Sequence, residues 1–146
     1  MKDFVCKDAV ISIIASQTDF NTRENDKMEI LTTGEYYCKN GKFYIRYTET
    51  DDNGNITTPT LVKVEDQNRV IVTRANGSGN LELIRGERRH SLYNTGCGDL
   101  LIGFSGTSIS SNLDRDGGML TLEYDLDVNH SLTSHNCLEI NVTAKS

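Results

Sequence analysis

Five of the eight arginines in this sequence, Arg69, Arg74, Arg85, Arg88 and Arg89, fall within 21 consecutive residues of a chain that is otherwise acidic. A guanidinium presents a planar fork of donors that matches a carboxylate or a phosphate two bonds at a time. The cluster could therefore line a pocket for an anionic small molecule, with Arg74 approaching one of Arg88 or Arg89 across neighbouring strands. The plainer reading is a solvated face on which Glu82 and Glu87 serve as partners. His90 follows directly. Its ordinary pKa of about 6.5 suits proton transfer, but no nucleophile or carboxylate partner is visible beside it. A hydrogen-bonded structural histidine is the simpler account.

Two further stretches resemble metal sites. Asn112–Glu123 (NLDRDGGMLTLE) places Asn112, Asp114 and Asp116 at positions 1, 3 and 5, Gly117 at 6 and Glu123 at 12 of a calcium-binding loop. That loop needs a helix on each side, and both flanks here alternate as strands, so an Asp/Gly hairpin turn is expected instead. His135 and Cys137 share a strand face with His130 nearby, but a closed zinc site needs two more ligands and no cysteine pair supplies them. No serine-hydrolase elbow, zinc-protease, P-loop or dinucleotide fingerprint occurs. The expectation is no catalytic residue, no metal ligand and no cofactor.

Tyrosines form the remaining candidate group. Tyr36, Tyr47 and Tyr124, with Tyr93, fall on positions that alternate with polar residues and so point to one interior, as does Phe43. A small barrel either fills its interior with side chains or holds one ligand. Tyrosine, apolar along the ring and polar at the tip, suits a wall with a wet mouth.

These residues must be positioned by strands. No window carries an apolar stripe at helical spacing for three turns, whereas alternation with turn residues every 8–12 positions runs almost throughout. Asn40-Gly41 is a strong two-residue hairpin signal. It sets Cys38 against Phe43, Tyr36 against Ile45 and Gly34 against Tyr47, with Met28, Ile30, Tyr36, Phe43, Ile45 and Tyr47 on one face. Glu35 then lies opposite Arg46 on the other. A second hairpin is expected at Asp116-Gly117-Gly118, turning on Asp-Gly or Gly-Gly. Either register points Leu120, Leu122, Tyr124, Leu126 and Val128 inward. The other expected strands are Val10–Thr18, Thr57–Glu65, a meander of Arg69–Arg74, Gly79–Ile84 and Arg88–Thr95, then Gly98–Leu113 and Leu132–Thr143. Gly103 and Gly106 are expected to let the long Gly98–Leu113 strand bend or bulge. About ten strands exceed the usual open sheet, so the sheet should curl into a barrel.

Composition sets outer bounds. A chain of 146 residues suits one domain, here 1–146. A net charge of -6 argues against generic nucleic-acid binding. No run reaches transmembrane length, and the only early apolar run, Val10–Ala15, is too short for a secretory signal. Cys6, Cys38, Cys97 and Cys137 are far apart. A cytoplasmic, reducing location with free thiols is the expectation.

Four segments carry a family resemblance: Ile13–Asp19 (IIASQTD), Thr33–Tyr47 (TGEYYCKNGKFYIRY), Gly86–Thr95 (GERRHSLYNT) and Gly117–Asp127 (GGMLTLEYDLD). In order and together they resemble the YwiB-like family of bacterial proteins. The sequence reads Thr95-Gly96-Cys97-Gly98 where that family carries Thr-Pro-aromatic-Gly. The resemblance implies a cytoplasmic barrel of about eight to ten strands, and it implies no activity.

The expected fold is thus all-β, an antiparallel lipocalin-like (calycin) barrel of about 8–10 strands. The leading functional expectation is a non-enzymatic barrel binding a small anionic or amphipathic ligand at its mouth, without nucleic-acid or membrane partners. Arg74, Arg88, His90, Tyr93 and Tyr124 would supply polar contacts, and Tyr36, Tyr47 and Phe43 the wall. The alternatives are a protein-interaction module with a packed interior and, more remotely, a hydrolase using His90.

Overall fold

The structure, a computed structural model, describes residues 3–50, 56–74, 80–94 and 98–145. Within them lie ten strands: β1 (Phe4–Asp19), β2 (Asn25–Lys39), β3 (Lys42–Thr50), β4 (Ile56–Val64), β5 (Arg69–Arg74), β6 (Asn80–Ile84), β7 (Arg88–Asn94), β8 (Asp99–Ser111), β9 (Gly117–Val128) and β10 (Ser131–Ala144). All belong to one antiparallel sheet of order β6-β5-β4-β3-β2-β1-β10-β9-β8-β7. No helix occurs among the described residues.

The sheet curls into a nearly closed barrel. Closure is made where the end of β6 meets β8: Arg85 forms a parallel bridge with Gly106, and the Gly86 amide donates to the Gly106 carbonyl at 3.0 Å. A side chain at Gly106 could not be accommodated, because its Cβ would lie 2.8 Å from the Ile84 carbonyl oxygen. β8 also shifts register against β9 between Gly106 and Ser108, the bulge expected of this glycine-bearing strand. The meander expected over 69–95 is only half right. β5 and β6 pair, but the chain crosses at Arg85–Glu87 and β7 becomes the far edge of the sheet, paired to β8.

Turn chemistry explains the registers. Asn40 and Gly41 take φ of 55° and 76°, both positive as the hairpin requires, and Tyr36 pairs with Ile45 as expected. Asn129 and His130, at 51° and 71°, make a second such turn between β9 and β10 that the sequence does not advertise. The β8–β9 hairpin departs from expectation. Its backbone bonds join Asp114 to Gly117, so the turn is Arg115-Asp116. The slip is by an even number of residues, so the inward face is unchanged.

The core is built from the inward members of each alternation: Ile11 and Ile13 from β1, Ile45 from β3, Val62 from β4, Val70 from β5, Leu120 and Leu122 from β9 and Ile140 from β10, all buried. The two ends of the barrel differ. At the lower end, where the 40–41 and 115–116 turns lie, Phe4, Tyr36 and Phe43 pack together with ring centroids 5.2–6.3 Å apart, and the Tyr36 hydroxyl donates to the Asp114 carbonyl at 2.6 Å. That end is filled. The upper end lies beside the Asp19–Asn25 and Val128–Ser131 turns.

Candidate functional site: the upper mouth of the barrel

A hollow of about 340 Å³ opens at the upper end, lined by Ala15, Gln17, Asp26, Met28, Tyr124, Asn136 and Leu138, with Ser16, Lys27 and Cys137 between them. Strand pairing explains why these residues meet. Tyr124, Asn136, Gln17 and Asp26 are successive partners across β9, β10, β1 and β2, and Leu138, Ala15 and Met28 form the row beneath. Each sits on the inward parity of its strand. The lower row is apolar and the upper row carries hydroxyl, amide and carboxylate groups. Met28 is 55% exposed, so an apolar side chain faces the opening itself.

The other side of the barrel interior comes from β3, β4 and β5, of which no described residue lines the hollow. Gly34, Tyr47, Thr60 and Arg74 are successive cross-strand partners from β2 to β5. Tyr47 alternates with buried Ile45, Thr60 with Val62, and Arg74 with Val72, so all three side chains take the inward face. Tyr47 and Thr60 are buried and Arg74 is exposed at the rim. Burial pushes the Tyr124 hydroxyl above its ordinary pKa, while the positive charge of Arg74 pulls it back. The guanidinium on one wall thus acts on the phenol of the other. The Asn136 amide is oriented by donating to Ser134 Oγ at 3.1 Å, and Phe104 supports Tyr124 edge-on at 6.1 Å.

Of the eight residues expected to line a ligand site, Tyr124 is the one described residue that lines the hollow; Tyr47 and Arg74 take inward positions on β3 and β5 outside its lining. Tyr36 and Phe43 are inward but belong to the filled lower end, where burial drives the Tyr36 phenol well above its ordinary pKa. Arg88 and His90 lie on the outer face, because they pair with Ser105 and Gly103, which in turn pair with the outward Asp125 and Asp127. Arg88 does not approach Arg74; its guanidinium grips Asp127 with two bonds of 2.9 and 2.7 Å. Tyr93 falls in β7, but its side chain lies outside the described residues. Arg69 and Arg89 both pair with Glu82, at 2.7 and 3.2 Å, as the solvated-face reading expects.

The metal-like segments have other uses. Asn112 Oδ1 accepts from the Met119 amide at 2.7 Å and Asp114 Oδ1 from the Asp116 amide at 2.8 Å, so both carboxamide and carboxylate brace the hairpin. His135 Nδ1 lies 2.7 Å from Asp125 Oδ1 on the outer face. Cys6, Cys38 and Cys137 are free thiols; Cys97 lies outside the described residues. No described helix is long and apolar enough to cross a membrane.

Gln17 and Asn136 were not legible as site residues. Their signal was a polar residue on the inward parity of an otherwise apolar alternation, as in Ile13-x-Ala15-x-Gln17.

Comparison with known proteins agrees with this architecture. The chain is 32% identical over 101 residues, 69% of its length and 70% of the other's, to a protein of Bacillus subtilis (strain 168) described as "Uncharacterized beta-barrel protein YwiB". The crystal structure of the ywiB protein from Bacillus subtilis superposes with a TM-score of 0.79 at 26% identity, covering 99% of this chain and 96% of that one. Residues 11–140 match the family model described as "Domain of unknown function (DUF1934)", and the chain belongs to that family.

Proposed function

We propose that this protein is a non-catalytic binding barrel that takes up a small amphipathic ligand through its upper mouth. The observation that carries the reading is the hollow of about 340 Å³ set between an apolar row (Ala15, Met28, Leu138) and a polar row (Tyr124, Asn136, Gln17, Asp26). Its volume falls at the small end of the usual range for ligand sites. An apolar floor with a few convergent polar groups is the arrangement that orients a ligand carrying both characters. The lining offers donors, acceptors and charges of both signs, on Lys27 and Asp26, which suit binding and orientation. His90, the sequence's one candidate for proton transfer, belongs to the opposite face of the wall.

A cytoplasmic location suits the unpaired thiols Cys6, Cys38 and Cys137. A second reading, a protein-docking module, draws on a different feature: an outer groove of about 540 Å³ at the lower end, between Val5, Tyr37 and the Glu35–Arg46 ion pair.

A thermal-shift screen against fatty acids and anionic metabolites tests the first reading. A ligand at a hundred times its Kd stabilises the fold by about 2.7 kcal/mol, equivalent to a rise of several degrees in Tm. The expected result is such a rise for at least one amphipathic compound, lost in Tyr124→Ala. No rise for any compound at saturating concentration overturns the reading.

A further inference from the structure

The polar row of the upper mouth carries an unanswered negative charge at one end. Asp26, Gln17, Asn136 and Tyr124 are successive cross-strand partners on β2, β1, β10 and β9, and all four line the hollow. Lys27 lines it too, but its ammonium is engaged by Glu29 at 3.3 Å. Among the described residues, neither the Asp26 carboxylate nor the Gln17 amide has a hydrogen-bond or ion-pair partner. The Asn136 amide nitrogen donates to Ser134 Oγ at 3.1 Å, which leaves its carbonyl oxygen as an acceptor. The row thus offers open acceptors, with the anion at its β2 end. Beneath it, Met28, Ala15 and Leu138 are also successive partners. Two inter-strand spacings make that apolar row about 10 Å long, comparable to an extended octyl chain.

We propose that the ligand of the mouth is a primary alkylammonium, its head group held between the Asp26 carboxylate and the Gln17 side-chain carbonyl and its tail lying along Met28, Ala15 and Leu138. This rests on the mouth-binding reading and goes beyond it by fixing the head group. An ammonium has three donors and no acceptor, so it matches a carboxylate beside an amide oxygen. A carboxylate head group would instead meet Asp26 as a like charge. The far end of the row sets the direction. Tyr124 stands three strands from Asp26, under the positive charge of Arg74, so a cation is favoured at the β2 end and the tail points toward β10. Asp26 and Met28 take neighbouring positions on one face of β2, so the head and tail contacts are contiguous. Asp26 is exposed at the rim, and the attraction is therefore modest and sensitive to salt.

The test uses titration calorimetry of the full chain at low salt with octylammonium, octanoate and octan-1-ol, on the wild type and Asp26→Asn. The expected result is octylammonium binding to the wild type about fivefold tighter than octanoate, with octan-1-ol between them. In Asp26→Asn octylammonium should weaken about fivefold while octan-1-ol binds as before. Asp26→Asn should melt with the wild type in the absence of ligand, which separates a lost contact from a damaged fold. Octanoate binding the wild type as tightly as octylammonium, or unchanged octylammonium affinity in Asp26→Asn, overturns the head-group assignment and leaves the mouth reading standing. Binding of none of the three compounds, with no hit in the thermal-shift screen, overturns both.

Discussion

Arg88 on β7 and Asp127 on β9 reach each other across the intervening strand β8, directly over Gly103. The pair is bidentate, at 2.9 and 2.7 Å, and the Asp127 side chain is almost fully covered. β7 is an edge strand, and among the described residues its sheet neighbour is β8. The ion pair therefore ties the edge to the second strand in, and glycine at 103 is the condition for it. A Cβ there would fall 2.4 Å from Asp127 Oδ2 and 2.5 Å from Arg88 Nη2.

Gly103→Ala should break this tether. The clashing atoms are the ends of flexible side chains that can swing aside, so the expected loss of stability is real but modest. Urea denaturation measures it. Asp127→Asn with Gly103→Ala should cost little more than either alone, since both remove one interaction. Full additivity would show that the two residues do not act together.

Gly117→Ala should be more severe. Gly117 has φ of 123°, and a Cβ would lie 2.0 Å from the Val142 carbonyl oxygen of β10. Neither the backbone nor the neighbouring strand can yield without parting β9 from β10. A loss of about 3 kcal/mol or more, or failure to accumulate as folded protein, is expected. A stable variant with unchanged Tm would contradict this packing.

This glycine also shows why the β8–β9 turn was misread from sequence. Asp116-Gly117-Gly118 looks like a turn because glycine usually marks one. Here Gly117 and Gly118 are already in the strand, and they are glycines because Val142 and Asn112 press against them. Contact across the sheet and turn formation select the same residue, and sequence cannot separate them. Asn40-Gly41 carried no such ambiguity, and the whole β2–β3 register followed from it. The faces of β7 were harder. Arg88, His90 and their neighbours show no clear apolar parity, so their spacing was legible but which side was interior was not. The barrel ends were invisible too: Tyr36, Tyr47 and Tyr124 are all inward, and only the tilt of the strands decides that the first seals one end while the last faces the opening.

Acid should loosen the lower end through Glu65. Its carboxylate lies 2.8 Å from Lys42 Nζ and 2.9 Å from Lys63 Nζ, and these ammonium groups hold its pKa at about 2. The folded pKa is below the unfolded one, so the stabilising contribution is present above about pH 4.5 and is lost as pH falls through about 2. Glu65→Gln should therefore show a shallower fall in stability over that window than the wild type. Identical acid profiles for the two proteins would contradict the ion pairing.

The most direct test of a ligand-taking mouth uses the methyl groups of the methionines. Met28 faces the upper opening, whereas Met119 lies on the outward parity of β9 near the lower end. In methyl-labelled protein titrated with an amphipathic ligand from the thermal-shift screen, followed by NMR, the Met28 resonance should shift saturably while the Met119 resonance stays in place. A saturable shift of Met119 with Met28 unmoved would place binding elsewhere and contradict the account.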